Sequence, residues 1–297
     1  MVQGKPDAGA PGVGVLFNPA LTEFVYTHAE SFDYLALIPD RSWVDHGPGA
    51  RPRFEELPEV YRVLRDVSRT LPIAMHCIGL SICSADVFDQ DYLSRLAEWR
   101  VRHGCSWLSE HLAFTRSGSG HETNAAVALP IPYDHEMLDL VTERVRAVQA
   151  RLGCPFLLEN NVNYFAFSRQ EMTEAEFLNR LTRQTGCHLL LDLHNVYTNA
   201  VNHRFDARAF LAALDLTRVF EIHIAGGSSM MGFHVDSHAG PTLEGVWELL
   251  DFVAPRAPEL RGVTFEFHES AWPLLRGDGV MAQLERARAV LARARVG

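Results

Sequence analysis

The chain has 297 residues, of which 47% are hydrophobic and 22% charged, enough for one α/β barrel with a large core. Its net charge of −10 argues against nonspecific nucleic-acid binding, which requires a basic face. No apolar run reaches the roughly 18–20 residues of a membrane span. Residues 1–11 lack the apolar core of a signal peptide and are typical of a flexible tail. We expect residues 12–297 to form one catalytic domain that binds neither nucleic acid nor membranes.

Short apolar runs alternate with amphipathic stretches along the chain. The runs are apolar on both faces, as in buried parallel strands, and predict strands at 12–17, 32–39, 72–80, 106–114, 155–161, 187–195, 218–226 and 262–268. Helical periodicity lies between them, at 55–70, 90–103, 135–152, 173–185, 206–214, 244–254 and 278–295. The alternation predicts a single (β/α)8 TIM barrel. A doubly wound sheet is the alternative, although the first strand lacks a good glycine-rich phosphate turn.

Three connections between these elements are of interest. Residues 40–54 and 115–132 are too long for simple turns, and in a barrel both would follow strands and lie over the catalytic face. Long loops there usually shape substrate access. The glycine-rich segment 226–232 lacks the lysine of a phosphate loop, so we interpret it as a mobile connection.

The five cysteines are scattered along the chain, and none is spaced as CxxC. This spacing argues against a zinc ribbon and against a disulfide scaffold. It is typical of reduced thiols in a cytoplasmic protein, so we expect a cytoplasmic location.

Acidic and imidazole side chains recur where the predicted strands end. The set comprises Glu159, Asp192, Asp236, Glu266, His76, His111, His223 and His238. The carboxyl ends of barrel strands meet at one mouth, and so many acids do not stay ionised together in a partly desolvated cavity without cations. No cysteine holds a matching position, and ligation by nitrogen and oxygen favours Fe, Mn or Zn. The pattern therefore predicts a multinuclear metal site.

The spacing of these residues indicates how the ions are shared. Asp236 and His238 alternate in what we interpret as an extended segment, so both can bind one metal ion from the same side. Asn195 lies three residues after Asp192 and can reach a neighbouring ion. Glu159 can bridge two ions between the fifth and sixth strands. Two or three ions that share carboxylates are expected.

The chain resembles one known family over roughly residues 12–270. The resemblance lies in the segments HCIGLS, SEHLAF, LPIPY, LLEN, LLDLHNVYTNAVNHRFD, EIHIAG and DSH. These are similar to segments of the multinuclear non-heme iron-dependent oxidative enzymes (MNIO), the MbnB/TglH-like family. The resemblance implies a xylose-isomerase-like TIM barrel with two or three iron ions, a mixed-valent Fe(II)/Fe(III) pair being the active form. By motif, the implied metal ligands are His76, His111, Glu159, Asp192, Asn195, His223, Asp236, His238 and Glu266.

The resemblance also implies an activity. It is the O2-dependent modification of a residue, most often cysteine, in a ribosomally synthesised precursor peptide, with O2 as co-substrate. Members of the family commonly work with a separate peptide-recognition protein, so we expect such a partner here. A competing interpretation is a divalent-metal hydrolase or isomerase of the apurinic-endonuclease or xylose-isomerase type, which would use the same ligands without O2. A non-catalytic metal-binding or peptide-binding barrel is disfavoured by the complete ligand set.

The sequence departs from the family's usual pattern beside the site. The departures are His194, where the family often has Asn, the run Asn161–Asn163, and the pair Phe267–His268. They leave the ligand set intact and bear on the substrate and product. His194 could be an extra ligand or a proton-transfer group, but we favour a role in supporting the ligands.

Two further residues are predicted to support the ligands rather than to bind metal. Glu110 neighbours His111 on a strand, so its side chain must point the opposite way. Asn160 follows the ligand Glu159 directly in sequence and is a candidate for the same supporting role.

Overall fold

The computed structural model describes residues 10–118, 123–165 and 167–295. Eight parallel strands form a closed barrel, in which the strands neighbour one another in chain order and the first pairs with the last. The barrel strands are β1 (Gly12–Leu16), β2 (Tyr34–Leu37), β3 (Ile73–Cys77), β4 (Trp107–His111), β5 (Phe156–Glu159), β6 (His188–Asp192), β7 (Val219–Ala225) and β8 (Gly262–Glu266). The closed barrel confirms the predicted fold and excludes the doubly wound alternative.

Helices connect the barrel strands. They are α1 (Thr22–Thr27), α2 (Pro58–Val67), α3 (Gln90–His103), α4 (His135–Leu152), α5 (Glu174–Thr185), α6 (Leu193–His203), α7 (Ala207–Ala213), α8 (Glu244–Val253) and α9 (Trp272–Ala294). Short 3-10 helices lie at Pro19–Leu21, Ala29–Ser31, Pro39–Ser42, Leu216–Arg218, Ala254–Arg256 and Glu269–Ala271. The sequence patterns missed α1 and α6.

The junction between β6 and α6 differs from the prediction of a strand that continues to residue 195. The strand ends at Asp192, and the helix begins at the next residue. The Asp192 carboxylate accepts a hydrogen bond from the backbone N–H of Asn195 at 2.7 Å and so caps the helix. As a result, His194 and Asn195 lie in the first turn of a helix at the barrel mouth, not on a strand.

Three antiparallel hairpins extend from loops that follow barrel strands. They pair Trp43–Asp45 with Phe54–Glu56, Phe114–Ser117 with Thr123–Leu129, and Ser228–Met230 with Phe233–Val235. The first two occupy much of the predicted long loops, and the third replaces the predicted mobile connection. Residues 119–122 of the second predicted loop and residues 1–9 of the predicted tail lie outside the described residues.

Arg53 joins the first hairpin to α3. Its Nε donates to Oδ1 of Asp45 at 2.9 Å, and its Nη1 donates to Oδ1 of Asp89 at 2.9 Å. Asp89 also caps α3 by accepting the backbone N–H of Tyr92 at 3.0 Å. The side chains of Arg53 and Asp89 are only 8% and 9% exposed, so this is a largely desolvated ion pair.

The barrel interior contains a buried polar cluster around Glu221. Trp107 Nε1 and Thr264 Oγ1 each donate to the Glu221 carboxylate at 2.6 Å. The hydroxyl of Tyr34 lies 2.5 Å from Thr264 Oγ1. Gly262 makes room for this ring, because a Cβ there would lie 2.4 Å from the Tyr34 hydroxyl oxygen. Aliphatic side chains such as Leu16, Ala36, Leu157 and Leu190 pack around the cluster.

All five cysteines are free thiols, in agreement with their sequence spacing. Cys77, Cys83, Cys105 and Cys187 are buried, and Cys154 is partly buried. Across the described ranges, no helix is both long and apolar enough to cross a bilayer.

Candidate metal centre

The barrel strands deliver most of the predicted ligands to one end. His111, Glu159, Asp192 and Glu266 are each the last residue of their strand. The register places His111 beside Glu159. It also places Asp192 beside His223. Parallel pairing therefore brings together side chains that are far apart in sequence.

The first group of potential ligands is His76, His111 and Glu159, whose ligand atoms lie within 4.8 Å of one another. Nε2 of His76 and Nε2 of His111 lie 3.4 and 3.3 Å from Oε2 of Glu159. The opposite nitrogen of each ring has its own partner. Nδ1 of His76 contacts Ser109 Oγ at 2.9 Å, and Nδ1 of His111 contacts the carbonyl oxygen of Cys77 at 3.2 Å. These contacts favour tautomers in which both Nε2 atoms are free to bind metal.

Two further groups share the carboxylates. Glu159, Asp192 and His223 form one, and Asp192, His238 and Glu266 form the next. Oε1 of Glu159 lies 3.9 Å from Nδ1 of His223, on the side opposite to the oxygen that faces the first group. Nδ1 of His223 is also 3.2 Å from Oε2 of Glu266. Because Glu159 and Asp192 each belong to two groups, each can bridge neighbouring ions.

The fourth group is His194, Asp236 and His238. Oδ1 of Asp236 lies 2.8 Å from Nε2 of His238 and 3.2 Å from Nδ1 of His194. The predicted extended geometry of this segment is wrong, because His238 has a φ of 48° in the left-handed region. The imidazole of His238 nevertheless lies against Asp236. A neutral imidazole offers one lone pair, so His238 can serve either this group or the one with Glu266.

Asn160 holds the β6–α6 junction in place. Its Oδ1 accepts the backbone N–H of Asp192 at 2.9 Å, and its Nδ2 donates to the carbonyl of Asp192 at 3.0 Å. Its own carbonyl accepts the side-chain amide of Asn195 at 2.9 Å. These bonds use the side-chain amides of Asn160 and Asn195 and the backbone N–H of Asp192. Oδ2 of Asp192 and Oδ1 of Asn195 have no hydrogen-bond partner among the described residues. Asn160 is thus placed for its predicted supporting role.

Glu110 lies behind His111, on the side away from Glu159. Its carboxylate accepts the backbone N–H of Leu80 at 2.9 Å and that of His111 at 2.9 Å. One of its oxygens is 3.7 Å from Nδ1 of His111. The side chain is 1% exposed, so it can orient the imidazole but is not presented to the cavity.

Several buried polar atoms at this end have no hydrogen-bond partner within the described ranges. They are Oε2 of Glu159, Oδ2 of Asp192, Oδ1 of Asn195, Oδ1 of Asp236 and both ring nitrogens of His194 and His223. Buried polar groups are nearly always paired, and leaving one unpaired costs about 1–3 kcal/mol. All these atoms are of types that bind divalent cations, so the residues present fit a metal centre of nitrogen and oxygen ligands.

Burial and neighbouring charges shift the pKa values of several residues at the mouth. Burial raises the pKa of Glu159 to about 8. Burial lowers the pKa of His111 and of His238, but the neighbouring carboxylates outweigh it and raise both pKa values to about 10. Burial lowers the pKa of His76 well below its usual value. His76 is therefore ready to bind metal as a neutral imidazole, whereas His111 and His238 must first lose a proton.

The sequence patterns did not identify Glu221. It precedes His223 by two residues, so the two side chains share one face of β7. Oε1 of Glu221 lies 3.4 Å from Nε2 of His223, on the opposite side of the ring from Glu159 and Glu266. The signal was present in the segment VFEIHIAG as an acid two residues before a histidine. The role of Glu221 could not be recognised from this pattern, because it depends on the contacts with Trp107 and Thr264 across the barrel.

The centre is deep on one side and open on the other. The side chains of His76, Glu159 and His223 are at most 4% exposed. Those of Asp236 and His238 are 26% and 23% exposed. Beside this open edge, the backbone N–H of Asp236 donates to the Tyr164 hydroxyl at 3.0 Å. The side chain of His111 is also 23% exposed, so the centre is partly open at His111 as well as at Asp236 and His238.

Comparisons with known proteins identify a family and relatives that match most of the chain. The family described as "RiPP precursor modification enzyme MbnB/TglH/ChrH" matches residues 12–292. A UPF0276 protein of Bordetella pertussis is 38% identical over 97% of this chain and 96% of its own length. A UPF0276 protein of Caulobacter vibrioides is 34% identical over 96% of this chain and 95% of its own.

Solved structures of similar fold are more distant in sequence. Endonuclease IV from Thermus thermophilus matches with a TM-score of 0.56 and 19% identity over 95% of this chain and all of its own. The IOLI protein with a bound zinc atom matches with a TM-score of 0.59 and 14% identity over 95% and 99% of the two chains. D-psicose 3-epimerase from Clostridium cellulolyticum matches with a TM-score of 0.57 and 12% identity over 96% and 98%. At these identities the likeness shows the barrel fold alone.

Proposed function

This chain belongs to the MbnB/TglH/ChrH family of RiPP precursor modification enzymes, and we propose that it uses iron and O2 to oxidise a residue of a ribosomally synthesised precursor peptide. Cysteine is the proposed residue. The family supports a peptide substrate and an enzymatic role, while the iron, the oxidation and the cysteine are our proposal. We also propose that it acts in the cytoplasm.

One observation supports this proposal most directly. Four overlapping groups of nitrogen and oxygen ligands lie along the mouth, and Glu159 and Asp192 each belong to two of them. Shared carboxylates hold metal ions close together, as chemistry at more than one metal requires. No cysteine of the chain belongs to these groups, so the ligands favour iron, manganese or zinc ions over an iron–sulfur cluster. The ligands we propose are His76, His111, Glu159, Asp192, Asn195, His223, Asp236, His238 and Glu266.

Bound iron would supply electrons to O2 and positive charge that lowers the pKa of a substrate thiol. The protein residues orient the ligands and control access. Ser109 and the Cys77 carbonyl contact Nδ1 of His76 and of His111, which favours the Nε2 that each ring presents. Glu221 lies 3.4 Å from Nε2 of His223, so the Nδ1 of that ring faces the other carboxylates. The open edge admits the peptide, and the buried edge keeps water away from the deeper ligands.

The open edge also indicates how a peptide is held. Tyr164 is fixed at the edge by its contact with the backbone of Asp236 and is 47% exposed. Phe165 and Phe233 are 52% and 50% exposed. Solvent-exposed aromatic rings bind peptide side chains with little loss of conformational freedom. We propose that a separate peptide-recognition protein supplies the remaining affinity for the precursor.

The proposal is tested with anaerobically purified protein. Metal analysis with Mössbauer spectroscopy should find two or three iron ions per chain, including a mixed-valent pair. The protein should then consume O2 only in the presence of a cysteine-bearing precursor peptide, and mass spectrometry should show a mass change. A peptide with serine in place of cysteine is the matched control. Stoichiometric zinc without iron dependence, or equal O2 uptake with both peptides, would overturn the proposal.

A metal-dependent hydrolase or isomerase remains the second candidate. The observation in its favour is the set of nitrogen and oxygen ligand atoms, which fits zinc or manganese as well as iron. In that function the same ligands act as Lewis acids and need no O2. Turnover of a phosphodiester or sugar under strict anaerobiosis by the zinc or manganese protein would support it.

A further inference from the structure

His194 is buried at the barrel mouth, and its one close polar contact, with Asp236, is not a hydrogen bond. It is the second residue of α6 and is 0% exposed. Neither ring nitrogen has a hydrogen-bond partner among the described residues. Leaving a buried donor or acceptor without a partner is unfavourable, and this ring contains two such nitrogens. The position therefore lacks an obvious reason to be histidine within the protein alone.

The surroundings of the ring are shaped to hold it at the mouth. A Cβ at Gly227 would lie 2.3 Å from Nε2 of His194, so only glycine leaves space for the ring there. The ring centroids of His194 and His238 lie 6.1 Å apart. Nδ1 of His194 is 3.2 Å from Oδ1 of Asp236, but the two atoms are not aligned as a hydrogen bond. Donor atoms that approach closely without bonding to one another can converge on a shared ion.

The distances suit such an ion. The ligand atoms of His194, Asp236 and His238 lie within 4.8 Å of one another. Two ligands of one tetrahedral ion, each at about 2.0–2.1 Å from it, lie about 3.4 Å apart. The separation of 3.2 Å between Oδ1 of Asp236 and Nδ1 of His194 is close to this value. The separation of 2.8 Å between Oδ1 of Asp236 and Nε2 of His238 is shorter and would have to widen by about 0.6 Å on binding such an ion.

We propose that His194 is a direct metal ligand, and that with Asp236 and His238 it forms a subsite for a borderline divalent cation such as Fe(II) or Zn(II). The assignment replaces the supporting role that the sequence favoured for His194. The subsite belongs to the metal centre of the proposed function but does not depend on its redox chemistry. Where the family often has Asn, this chain would place an imidazole, which binds such cations more strongly than an amide.

The test uses the full-length protein labelled with ¹⁵N in its histidines and titrated with Zn(II). Loss of the resonances in the variant His194→Asn identifies the His194 ring. We expect the ¹⁵N resonance of one ring nitrogen of His194 to shift on zinc binding, because the lone pair of that nitrogen then forms a bond to the metal. A histidine that only contacts Asp236 would keep a free or protonated nitrogen, and that result would overturn the proposal. The ¹⁵N titration is made on the wild-type protein, so its result does not depend on whether a second variant, His194→Ala, folds.

Affinity gives a second readout. In His194→Asn we expect one zinc equivalent to bind more weakly by more than the roughly 100-fold that loss of a supporting partner can cost, while the others bind as in the wild type. The matched control is His188→Asn, since His188 lies at the start of β6, away from the mouth, and also has a buried Nδ1 without a described partner. Unchanged affinity of every equivalent in His194→Asn would contradict the assignment. Absence of O2 consumption would instead count against the proposed function and leave the zinc result standing.

Discussion

Glu221 and His223 lie on one face of β7, and their facing atoms, Oε1 and Nε2, are 3.4 Å apart. The other nitrogen of His223 faces Glu159 and Glu266. A carboxylate behind an imidazole fixes its tautomer and raises its basicity, and it is commonly found behind metal-binding histidines. Glu221 is itself held by Trp107 and Thr264, so its carboxylate has a fixed position behind His223 in the candidate metal centre.

The variant Glu221→Gln tests this support. The amide keeps the shape but no longer provides a negative charge behind His223, so we expect metal affinity to fall about 10–100-fold. The measurement is competition for Zn(II) against a chelator of known affinity. Glu59→Gln, an exposed change on α2, is the control. Equal affinities in the two variants would show that Glu221 serves only to fill the barrel.

Replacing a carboxylate that belongs to two ligand groups should lower the amount of bound metal more than replacing a carboxylate that belongs to one. Glu159 belongs to two ligand groups and Asp236 to one. We expect Glu159→Gln to lower the bound metal by more equivalents than Asp236→Asn does, and both changes to abolish turnover. Metal analysis after dialysis provides the count, and circular dichroism shows whether the barrel is retained. Full metal content in folded Asp236→Asn would remove that residue from the ligand set.

Metal binding should release protons and strengthen with pH. In the metal-free protein the pKa values of His111 and His238 are raised to about 10, so both rings are protonated near neutral pH. Each must lose its proton before that nitrogen binds a cation, and affinity therefore rises as pH increases toward 10. Zinc titration calorimetry at pH 6.5 and 8, in buffers of different ionisation enthalpy, measures the protons released. Affinity that does not change between these pH values would contradict the charged state of the rings.

The same pKa values predict the stability of the metal-free protein. A histidine whose folded pKa is raised stabilises the fold fully below its unfolded pKa, near 6.5, and this contribution is lost as pH rises through about 10. We therefore expect the free energy of unfolding of the metal-free protein to fall between pH 7 and 10. The metal-loaded protein should show a weaker dependence, because its imidazoles are already neutral. Urea unfolding at each pH provides the comparison.

Arg53 should be important for stability but not for metal affinity. It forms a largely desolvated pair with Asp89 and also contacts Asp45. In Arg53→Met, Asp89 keeps a contact with Arg116 at 3.2 Å, so we expect a loss of about 2 kcal/mol, the scale of a charged hydrogen bond. The exposed change Arg69→Met should alter stability by less than about 0.5 kcal/mol. Urea unfolding measures the stability of both variants. A loss of metal affinity in Arg53→Met would contradict the expectation that Arg53 affects stability and not metal binding.

Strand-end residues could be predicted because barrel topology converts a local pattern into a shared location. His76, His111, Glu159 and Glu266 each end or nearly end an apolar run, and parallel closure brings all such ends together. Whether each binds metal remains a prediction.

The hairpins and the β6–α6 junction could not be predicted in the same way. The strands Trp43–Asp45 and Ser228–Met230 of the first and third hairpins have only three residues each and are mostly exposed, so they lack the apolar runs by which the barrel strands were recognised. Glu221 was missed because its partner Trp107 is 114 residues away in the sequence. Likewise, the position of His194 depends on Gly227, which is on the loop after β7.

The proposed ligands come from strands β3 to β8 and from the segments that follow them, so no single β–α unit holds a complete ligand group. Ions bound there would act as cross-links between the middle and the end of the chain, and their free energy of binding would oppose the opening of the whole barrel at once. The neighbouring strands that carry one ligand group must pair before such a cross-link can form. Metal loading is therefore expected to follow strand pairing, and shortage of the metal should yield a folded but less stable barrel.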